Sequence, residues 1–378
     1  MTIRKILATL LALSMTLSLA ACGGNSTQTG NTQPEQTEQT EEAPASSDES
    51  ASEESAAENT EAETPADETE TAQASEPAEK VDINLAALSG PTALGMLDLL
   101  EKNENGEAAN NYNVTIATAP DEVTGKIISG ELDIAAVPTN VASTLYNKTE
   151  GQVQIAALNT MGVLYVLETG DTIQSVADLA GKTIYATGQG STPEYALNLV
   201  LEKNGLTPGE DVEIVFAADN AEIAPLLASG EAQVALLPQP FVTSVLTQNE
   251  NVRVALDLTE EWDKAVNGES GLTMGCVVVR KEFAEQNKEA LDRFLDEYKQ
   301  SVETVTSEEG LAHAAELAEH YNIIKAAVAE KAIPECNIVF VEGDEMQQIA
   351  GGFLQVLYDA NPQAVGGQLP NDDFYYKR

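Results

Sequence analysis

The sequence predicts an α/β protein with two similar lobes, each a mostly parallel sheet flanked by helices. Residues 129–138 (SGELDIAAVP) and 229–238 (SGEAQVALLP) repeat one another at an offset of one hundred residues. From Val81 onward, apolar runs alternate with helical patterns over nearly three hundred residues, which is more than one core usually holds. A unit used twice, this far apart, indicates two related lobes.

Each copy of the repeat has the same local pattern. A short helix with an apolar face ends at Ser-Gly, a continuous apolar run follows as a buried strand, and Pro138 or Pro238 ends that strand. Ligands of open α/β sheets bind beyond the carboxyl ends of the strands. We therefore expect the loops after the two prolines to face one another across a cleft, as in a two-lobed protein that binds a small molecule.

The strands and the lobe boundaries are predicted from the apolar runs. The predicted strands are residues 82–88, 114–117, 134–137, 154–158, 163–167, 183–186, 212–216, 233–237, 252–256, 275–279 and 337–341. Two strands would cross between the lobes, with a hinge near Leu167-Glu168 and Met274-Gly275. The first lobe would then comprise residues 81–167 and 280–378, and the second lobe residues 168–279.

The N-terminal segment predicts export. Residues 1–21 have a basic start and an apolar stretch too short for a transmembrane span, which is typical of a signal peptide. Residues 19–22 (LAAC) resemble the lipobox of bacterial lipoproteins, and the resemblance implies that Cys22 is lipidated and becomes the mature N-terminus. The alternative is an ordinary signal peptide with a chance cysteine. A lipidated Cys22 would hold the protein on the outer face of the cytoplasmic membrane, a Gram-positive arrangement being favoured.

The composition after Cys22 predicts a tether over residues 22–80. Residues 25–79 contain sixteen acidic residues, no Lys, no Arg and no aromatic residue, so the segment cannot bury enough apolar surface to fold. An acidic interaction tail is the competing interpretation. Without this segment and the three basic residues up to Lys80, the chain keeps 46 acidic and 16 basic residues, a net charge of −30. This charge disfavours nucleic acid or anionic lipid as a partner.

Two cysteines lie in the predicted folded part, Cys276 and Cys336. In an extracytoplasmic setting they are a possible disulfide, and two buried free thiols are the equally good alternative.

The order of segments resembles the type 2 periplasmic-binding-protein fold. More narrowly, it resembles the solute-binding lipoproteins of ABC importers in the nitrate, sulfonate, taurine and thiamine-precursor group. The residues that carry the resemblance are 89–92 (SGPT), 130–135 (GELDIA), 178–184 (DLAGKTI) and 188–195 (GQGSTPEY). The resemblance implies capture of a small organic solute, such as a sulfonate, carboxylate or heterocycle, for partner permease and ATPase subunits. A same-fold enzyme of the futalosine-pathway or pyrimidine-synthase type and a ligand-sensing lipoprotein are the alternatives.

The predicted ligand site lies in the loops at the strand ends. Its residues are Ser89, Gly90, Pro91, Thr92, Pro138, Thr139, Asn140, Asn159, Gly188, Gln189, Gly190, Ser191, Thr192, Pro238, Gln239 and Pro240. Glycines let the backbone approach a ligand, Thr192 is a predicted N-cap, and the N–H groups of helix starts bind oxygen atoms. A plain capped turn is the alternative for residues 188–195, and a turn-forming role is the equally good alternative for Asn159. These loops contain no Lys, Arg, His, Asp or Cys, and Glu194 beside them is the one acidic residue. The site should thus recognise its ligand through backbone amides, hydroxyls and side-chain amides.

The sequence gives little support for catalysis, a cofactor or a metal. His313 and His320 are seven residues apart on a late helix without a further ligand, so solvated histidines are favoured over a zinc site. Tyr165, Tyr185, Tyr195 and Phe241 are the aromatic residues close in sequence to the cleft. For Trp262, packing of its helix on the lobe is favoured over ligand stacking.

Overall fold

The computed structural model describes residues 79–118 and 120–378. The predicted signal peptide, Cys22 and the tether up to residue 78 lie outside the described residues. Among the helices described, none combines the length and the apolar character of a membrane-spanning segment.

Two mixed sheets form the centre of the two lobes. The first contains β1 (Asp82–Leu88), β2 (Asn111–Ala117), β3 (Ile134–Pro138), β4 (Val153–Met161), β10 (Thr273–Arg280) and β11 (Ile338–Val341). The second contains β5 (Leu164–Thr169), β6 (Thr183–Ala186), β7 (Glu213–Phe216), β8 (Val234–Pro238) and β9 (Val252–Asp257). Each of these strands was predicted, with ends that differ by a few residues.

Helices connect and cover the strands. They are α1 (Pro91–Leu94), α2 (Leu97–Glu104), α3 (Pro120–Ser129), α4 (Thr139–Lys148), α5 (Thr192–Lys203), α6 (Asn220–Ser229), α7 (Phe241–Gln248), α8 (Leu258–Ala265), α9 (Lys281–Gln286), α10 (Lys288–Thr306), α11 (Leu311–His320), α12 (Ala326–Ala332) and α13 (Gly343–Ala360). Short 3₁₀ turns lie at Val176–Leu179, Ile333–Glu335, Pro362–Val365 and Asp372–Phe374.

The sheet orders show that the two lobes are built alike. The first sheet has the order β11-β4-β10-β3-β1-β2 and the second β7-β6-β8-β5-β9. In the first, β1 to β4 run in one direction and β10 runs against them; in the second, β6 to β9 run together and β5 opposes them. Each lobe therefore has a mostly parallel sheet, interrupted by the antiparallel strands β10 and β11 in the first lobe and by β5 in the second, as the fold prediction requires.

The sequence repeat occupies the equivalent position in both lobes. Gly130 and Gly230 end α3 and α6 at φ of 80° and 78°, a left-handed conformation that glycine adopts without steric cost. The strands that follow occupy matching places: β3 lies between β1 and β10 in the first sheet, and β8 lies between β6 and β5 in the second. The repeated Ser-Gly is thus the helix end that directs each central strand into its sheet.

The predicted lobe boundaries need correction. β5 lies in the second sheet although its first residues were assigned to the first lobe, and β10 lies in the first sheet although it was assigned to the second. The chain crosses at Gly162-Val163 and again between Asp257 and Thr273. The first crossing requires glycine at position 162. A Cβ there would lie 2.1 Å from the Thr259 hydroxyl oxygen, so no larger residue fits this close to α8.

Candidate functional site

The predicted site residues lie at the carboxyl ends of strands in both sheets. The loops after β1 and β3 belong to the first lobe, and those after β6 and β8 to the second; Asn159 lies near the end of β4. The repeat makes the loops after β3 and β8 equivalent, and the sheet orders make those after β1 and β6 equivalent. The predicted site therefore draws equivalent loops from each lobe.

A hydrogen bond joins the two lobes at this site. The Thr192 hydroxyl donates to Asn140 Oδ1 at 3.1 Å, and both residues are buried. Thr192 begins α5 of the second lobe, and Asn140 lies in the first turn of α4 of the first lobe. Asn140 Nδ2 donates to the carbonyl of Ala364 at 3.1 Å, so the amide oxygen is the atom turned toward the second lobe. The starts of two helices from different lobes thus lie in contact.

Neither of these two helix starts has a side-chain cap. α4 follows Pro138, whose side chain offers no acceptor, and the Ser191 hydroxyl before α5 donates to the carbonyl of Gly188 at 2.7 Å. The two helix starts share this with eight other described helices, whereas carboxylates cap two: Asp219 caps α6 and Asp257 caps α8. The partial positive charge of an uncapped helix start favours an anion or another oxygen acceptor.

The loop after β6 has the geometry expected for close approach of its backbone. Gly188 and Gly190 have φ of 77° and 74°. The backbone N–H of Gly190 donates to Glu194 Oε2 at 2.6 Å, so the acidic side chain of this loop is already engaged. The predicted N-cap is displaced by one residue: Ser191 is the N-cap and Thr192 is the first helical residue. Gln189 is exposed.

The loop after β1 turns at Gly90, whose φ is 128°. Ser89 is exposed, Pro91 occupies the first position of α1, and the Thr92 hydroxyl donates to the carbonyl of Leu88 at 2.6 Å. Of the two hydroxyls predicted to meet a ligand here, only that of Ser89 remains available as a donor.

In the loops after the two repeated strands, the polar side chains form hydrogen bonds with other residues of the protein. The Thr139 and Thr273 hydroxyl oxygens are 3.1 Å apart. Gln239 Oε1 accepts from the Thr243 N–H at 3.2 Å and from its hydroxyl at 2.9 Å, inside the first turn of α7. The prolines that flank Gln239, Pro238 and Pro240, are half-buried and buried. The hydroxyl of Thr139 and both side-chain atoms of Asn140 thus have partners within the protein, and for Gln239 this is true of the amide oxygen.

Asn159 is fully buried, and its Nδ2 has no hydrogen-bond partner among the described residues. The hydroxyl of Tyr298, also fully buried, is likewise without a partner there. Neither Tyr298 nor Thr273 was predicted near the site, because neither follows a strand into a loop and Tyr298 lies on α10, more than a hundred residues from Asn159 along the chain.

The four aromatic residues close in sequence to the cleft are half-buried against apolar clusters, Tyr195 against the largest one. Tyr165, Tyr185 and Phe241 are half-buried against the apolar cluster beneath α6 and α7. Trp262 is fully buried; its Nε1 donates to the Ser270 carbonyl at 2.9 Å, and its ring lies 5.6 Å from that of Phe353. The prediction that the Trp262 helix packs on the lobe is confirmed.

The remaining reactive side chains lie apart from the cleft loops or are buried. Cys276 and Cys336 are buried free thiols, so the structure contains no disulfide between them, and burial raises the pKa of both. The hydrogen bond that His313 donates to the Glu101 carboxylate raises the pKa of His313, and His320 contacts Glu104; both histidines lie on the solvent side of α11. Within residues 79–118 and 120–378, no group of three or more His, Cys, Asp or Glu side chains is arranged to hold a metal ion.

Comparison with solved structures finds the same architecture in binding proteins. An ABC transporter structure from Parabacteroides distasonis superposes with a TM-score of 0.65 at 25% identity, covering 78% of this chain and 99% of that one. The periplasmic aliphatic sulphonate binding protein SsuA of Escherichia coli gives 0.62 at 14% identity, covering 78% and 92%. The alkanesulfonate-binding protein SsuA of Xanthomonas axonopodis pv. citri, bound to MOPS, gives 0.58 at 17% identity, covering 78% and 96%. These likenesses confirm the predicted two-lobed fold.

The family is shown by the sequence itself. Residues 98–330 match the family model described as the periplasmic substrate-binding protein of the phosphonate ABC transporter, which covers more than half of the chain. No curated protein sequence matches this chain. The chain belongs to the family of periplasmic substrate-binding proteins of phosphonate ABC transporters and is the solute-binding subunit of an ABC import system.

Proposed function

We propose that this subunit captures a small organic solute through one oxyacid group, a phosphonate or a sulfonate, held between the starts of α4 and α5. The observation that carries the proposal is the contact of Asn140 with Thr192, which brings two uncapped helix starts from different lobes together. The family and the sulfonate-binding proteins of like fold are consistent with this solute class.

The charge of the solute follows from the helices. The contact between the two helix starts places their partial positive charges close together, and an anion beside them relieves that repulsion. Each start contributes about 0.3–1 kcal/mol at an exposed position and up to about 2 kcal/mol when partly buried. The cleft loops contain no Lys, Arg or His, so the helix starts alone would have to balance the charge of the solute. We expect their partial charges to be sufficient for one oxyacid group and insufficient for a compact polyanion.

The donors for that group are mainly backbone N–H groups. The hydroxyls of Thr92, Ser191 and Thr192 already donate within the protein, so they are available to a ligand only as acceptors. A solute bound in this way would stabilise the closed arrangement of the lobes by its greater affinity for that arrangement. The permease would then recognise the closed form.

We propose further that the solute is bound without chemical change. Glu194, the acidic residue beside the cleft loops, is held by the Gly190 N–H, and both histidines lie on α11 away from the strand ends. Turnover of any bound compound by the purified protein would contradict this part of the proposal.

The test is a thermal-shift screen followed by calorimetry. The panel is methylphosphonate, methanesulfonate, acetate and a thiamine-precursor pyrimidine. A ligand at one hundred times its dissociation constant adds about 2.7 kcal/mol to the free energy of unfolding, which is readily detected. We expect shifts with methylphosphonate or methanesulfonate and none with the pyrimidine. A shift with the pyrimidine alone would instead favour the neutral-heterocycle alternative.

The cellular placement is a separate proposal. Residues 19–22 would direct lipidation of Cys22, and the acidic segment that follows would hold the lobes away from the outer face of the cytoplasmic membrane. Cys22→Ala should move the protein from the membrane fraction to the soluble fraction. A variant that remains membrane-bound would contradict the anchor.

A further inference from the structure

Gln239 is a buried residue that keeps one hydrogen-bond donor open. It follows β8 directly, at the carboxyl end of that strand, and it is 4% exposed. Its amide nitrogen Nε2 has no hydrogen-bond partner among residues 79–118 and 120–378. Nε2 is also not one of the unpaired atoms that the described protein encloses completely. The nitrogen is therefore a nearly buried donor that still reaches open space.

Two hydrogen bonds fix the direction of this donor. Gln239 Oε1 accepts from the backbone N–H of Thr243 at 3.2 Å and from the Thr243 hydroxyl at 2.9 Å. Because an N–H needs an acceptor, the amide oxygen is the atom that faces α7. The nitrogen occupies the other branch of the planar amide and is turned away from the helix. The donor thus has a defined direction before any ligand binds.

The backbone of Gln239 places this donor at the floor of the cleft, where the lobes are joined. Its N–H donates to the carbonyl of Val163 at 3.0 Å, directly after the first crossing at Gly162. The equivalent residue of the repeat is Thr139, whose hydroxyl contacts that of Thr273 at the end of the second crossing. The two positions lie beside the two crossings, but the side chain at position 139 is engaged and the amide nitrogen at position 239 is open.

The helix start behind Gln239 strengthens its donor. Pro240, the N-cap residue of α7, makes no side-chain bond, so Gln239 Oε1 satisfies the Thr243 N–H that the helix start would otherwise leave unpaired. An amide that accepts at one end is polarised into a better donor at the other end. The partial positive charge of the helix start acts in the same direction. Through this amide, α7 presents its positive end to the cleft floor.

We propose that Gln239 is a specificity-determining residue of the cleft, whose amide nitrogen donates to an oxygen of the solute, and that Thr243 positions it. The inference rests on the proposed function and adds a third helix, α7, to α4 and α5. The site thereby requires a hydrogen-bond acceptor on the part of the solute at the cleft floor. A solute with a donor or an apolar group there leaves the amide unpaired and is rejected.

Gln239→Glu separates the two roles of this side chain. The carboxylate keeps an acceptor for Thr243 and suits a helix start, but it has no N–H and carries a negative charge. We expect the melting temperature of the unliganded protein to be unchanged or raised. We expect the affinity for methylphosphonate and methanesulfonate, measured by calorimetry, to fall about a hundredfold or more.

The matched control is Gln248→Glu, the same change at the exposed last residue of the same helix. It adds the same charge to α7 away from the cleft, so the affinity for both probes should stay nearly unchanged.

Gln239→Leu tests donation without a change of charge. The Thr243 N–H and hydroxyl lose their acceptor, so the melting temperature should fall. Binding should weaken about tenfold or more, which corresponds to one hydrogen bond to a charged group. Thr243→Val removes the hydroxyl that orients the amide and should weaken binding less than Gln239→Leu does. Thr243→Ser, which keeps a hydroxyl, should restore the wild-type affinity.

The results that would overturn the inference differ from those that would overturn the proposed function. If the wild type binds a probe and Gln239→Leu binds it equally well, the amide donates nothing, and weak binding by Gln239→Glu reflects repulsion alone. Equal losses in Gln239→Glu and Gln248→Glu would likewise replace contact by long-range charge. Wild-type affinity of Thr243→Val would contradict the positioning role. Failure of the wild type to bind either probe contradicts the proposed function, and this inference with it.

Discussion

The hydroxyl of Thr192 donates to the side-chain oxygen of Asn140 across 3.1 Å, and the two residues belong to different lobes. Ala364 fixes the amide of Asn140 from behind through its carbonyl, so this bond has a defined direction. A contact of this kind exists only while the lobes are together. It therefore contributes to the free-energy difference between open and closed forms, which ligand affinity also depends on.

Thr192→Val should weaken ligand binding without unfolding the second lobe. The substitution keeps the shape but leaves Asn140 Oδ1 buried without a donor, at a cost of about 1–3 kcal/mol in the closed form alone. We expect affinity for the best ligand of the screen to fall about tenfold, mainly through faster release. Calorimetry and stopped-flow dissociation measure both quantities.

The matched control is Thr187→Val, which removes a hydroxyl that bonds Asn220 at 2.8 Å within the second lobe. It should lower the melting temperature and leave the release rate nearly unchanged. Equal effects of both variants on release would show that the bond between the lobes has no special role in closure.

Gly275→Ala should destabilise the protein. The added methyl group would meet Asn159 Oδ1 at 2.5 Å and Thr92 Cγ2 at 2.9 Å, and overpacking of a tight site costs about 1–3 kcal/mol. Denaturant unfolding measures the loss. Gly125→Ala is the contrasting variant: Gly125 is exposed in α3 with nothing within 4 Å of a new Cβ, so the change should stabilise the protein by up to about 1 kcal/mol. A stable Gly275→Ala protein would mean that β4 or α1 shifts freely.

Much of the fold was predictable because buried strands are continuous apolar runs bounded by Gly and Pro. The repeated Ser-Gly even located two equivalent helix ends. The lobe boundaries were not predictable in the same way: two mainly apolar runs, residues 153–161 and 163–167, are separated only by Gly162, whose role comes from the nearby Thr259 side chain. The apolar pattern predicts that a strand is buried, but it does not predict to which sheet the strand belongs.

The site was predictable only at the level of loops. The carboxyl ends of the strands indicated where a ligand lies, but the direction of each side chain depends on partners distant in the chain. Thr139 meets Thr273, and Asn140 meets Ala364 and Thr192. These pairings are made by packing between elements, so no local sequence pattern encodes them.

The two thiols should be unreactive in the native protein and both free after unfolding. Cys276 and Cys336 are buried, and burial raises the pKa of each, so little thiolate forms at neutral pH. Alkylation with iodoacetamide, without reductant, should proceed slowly on the folded protein and label both residues in denaturant. Intact mass counts the labels; an unlabelled pair that becomes labelled only after reduction would demonstrate a disulfide.

Acid should weaken the second lobe through Glu168. Its side chain is 3% exposed, and although burial alone raises its pKa, hydrogen bonds from Thr172, Ile173 and Arg253 outweigh burial and lower it. Because the folded pKa lies below the unfolded one, the stability gained from this carboxylate is complete above the unfolded pKa of about 4.5 and is lost as the pH falls through the folded pKa.

Glu168→Gln should therefore lower the melting temperature at neutral pH, because the amide cannot serve all these donors. The difference from the wild type should shrink as the pH falls below about 4.5, where the wild-type carboxylate also becomes protonated. Melting curves between about pH 7 and pH 3 measure this convergence. Glu231→Gln, at an exposed position of the repeat, should follow the wild-type curve throughout. A constant offset of Glu168→Gln at every pH would mean that its effect comes from packing and not from the charge of Glu168.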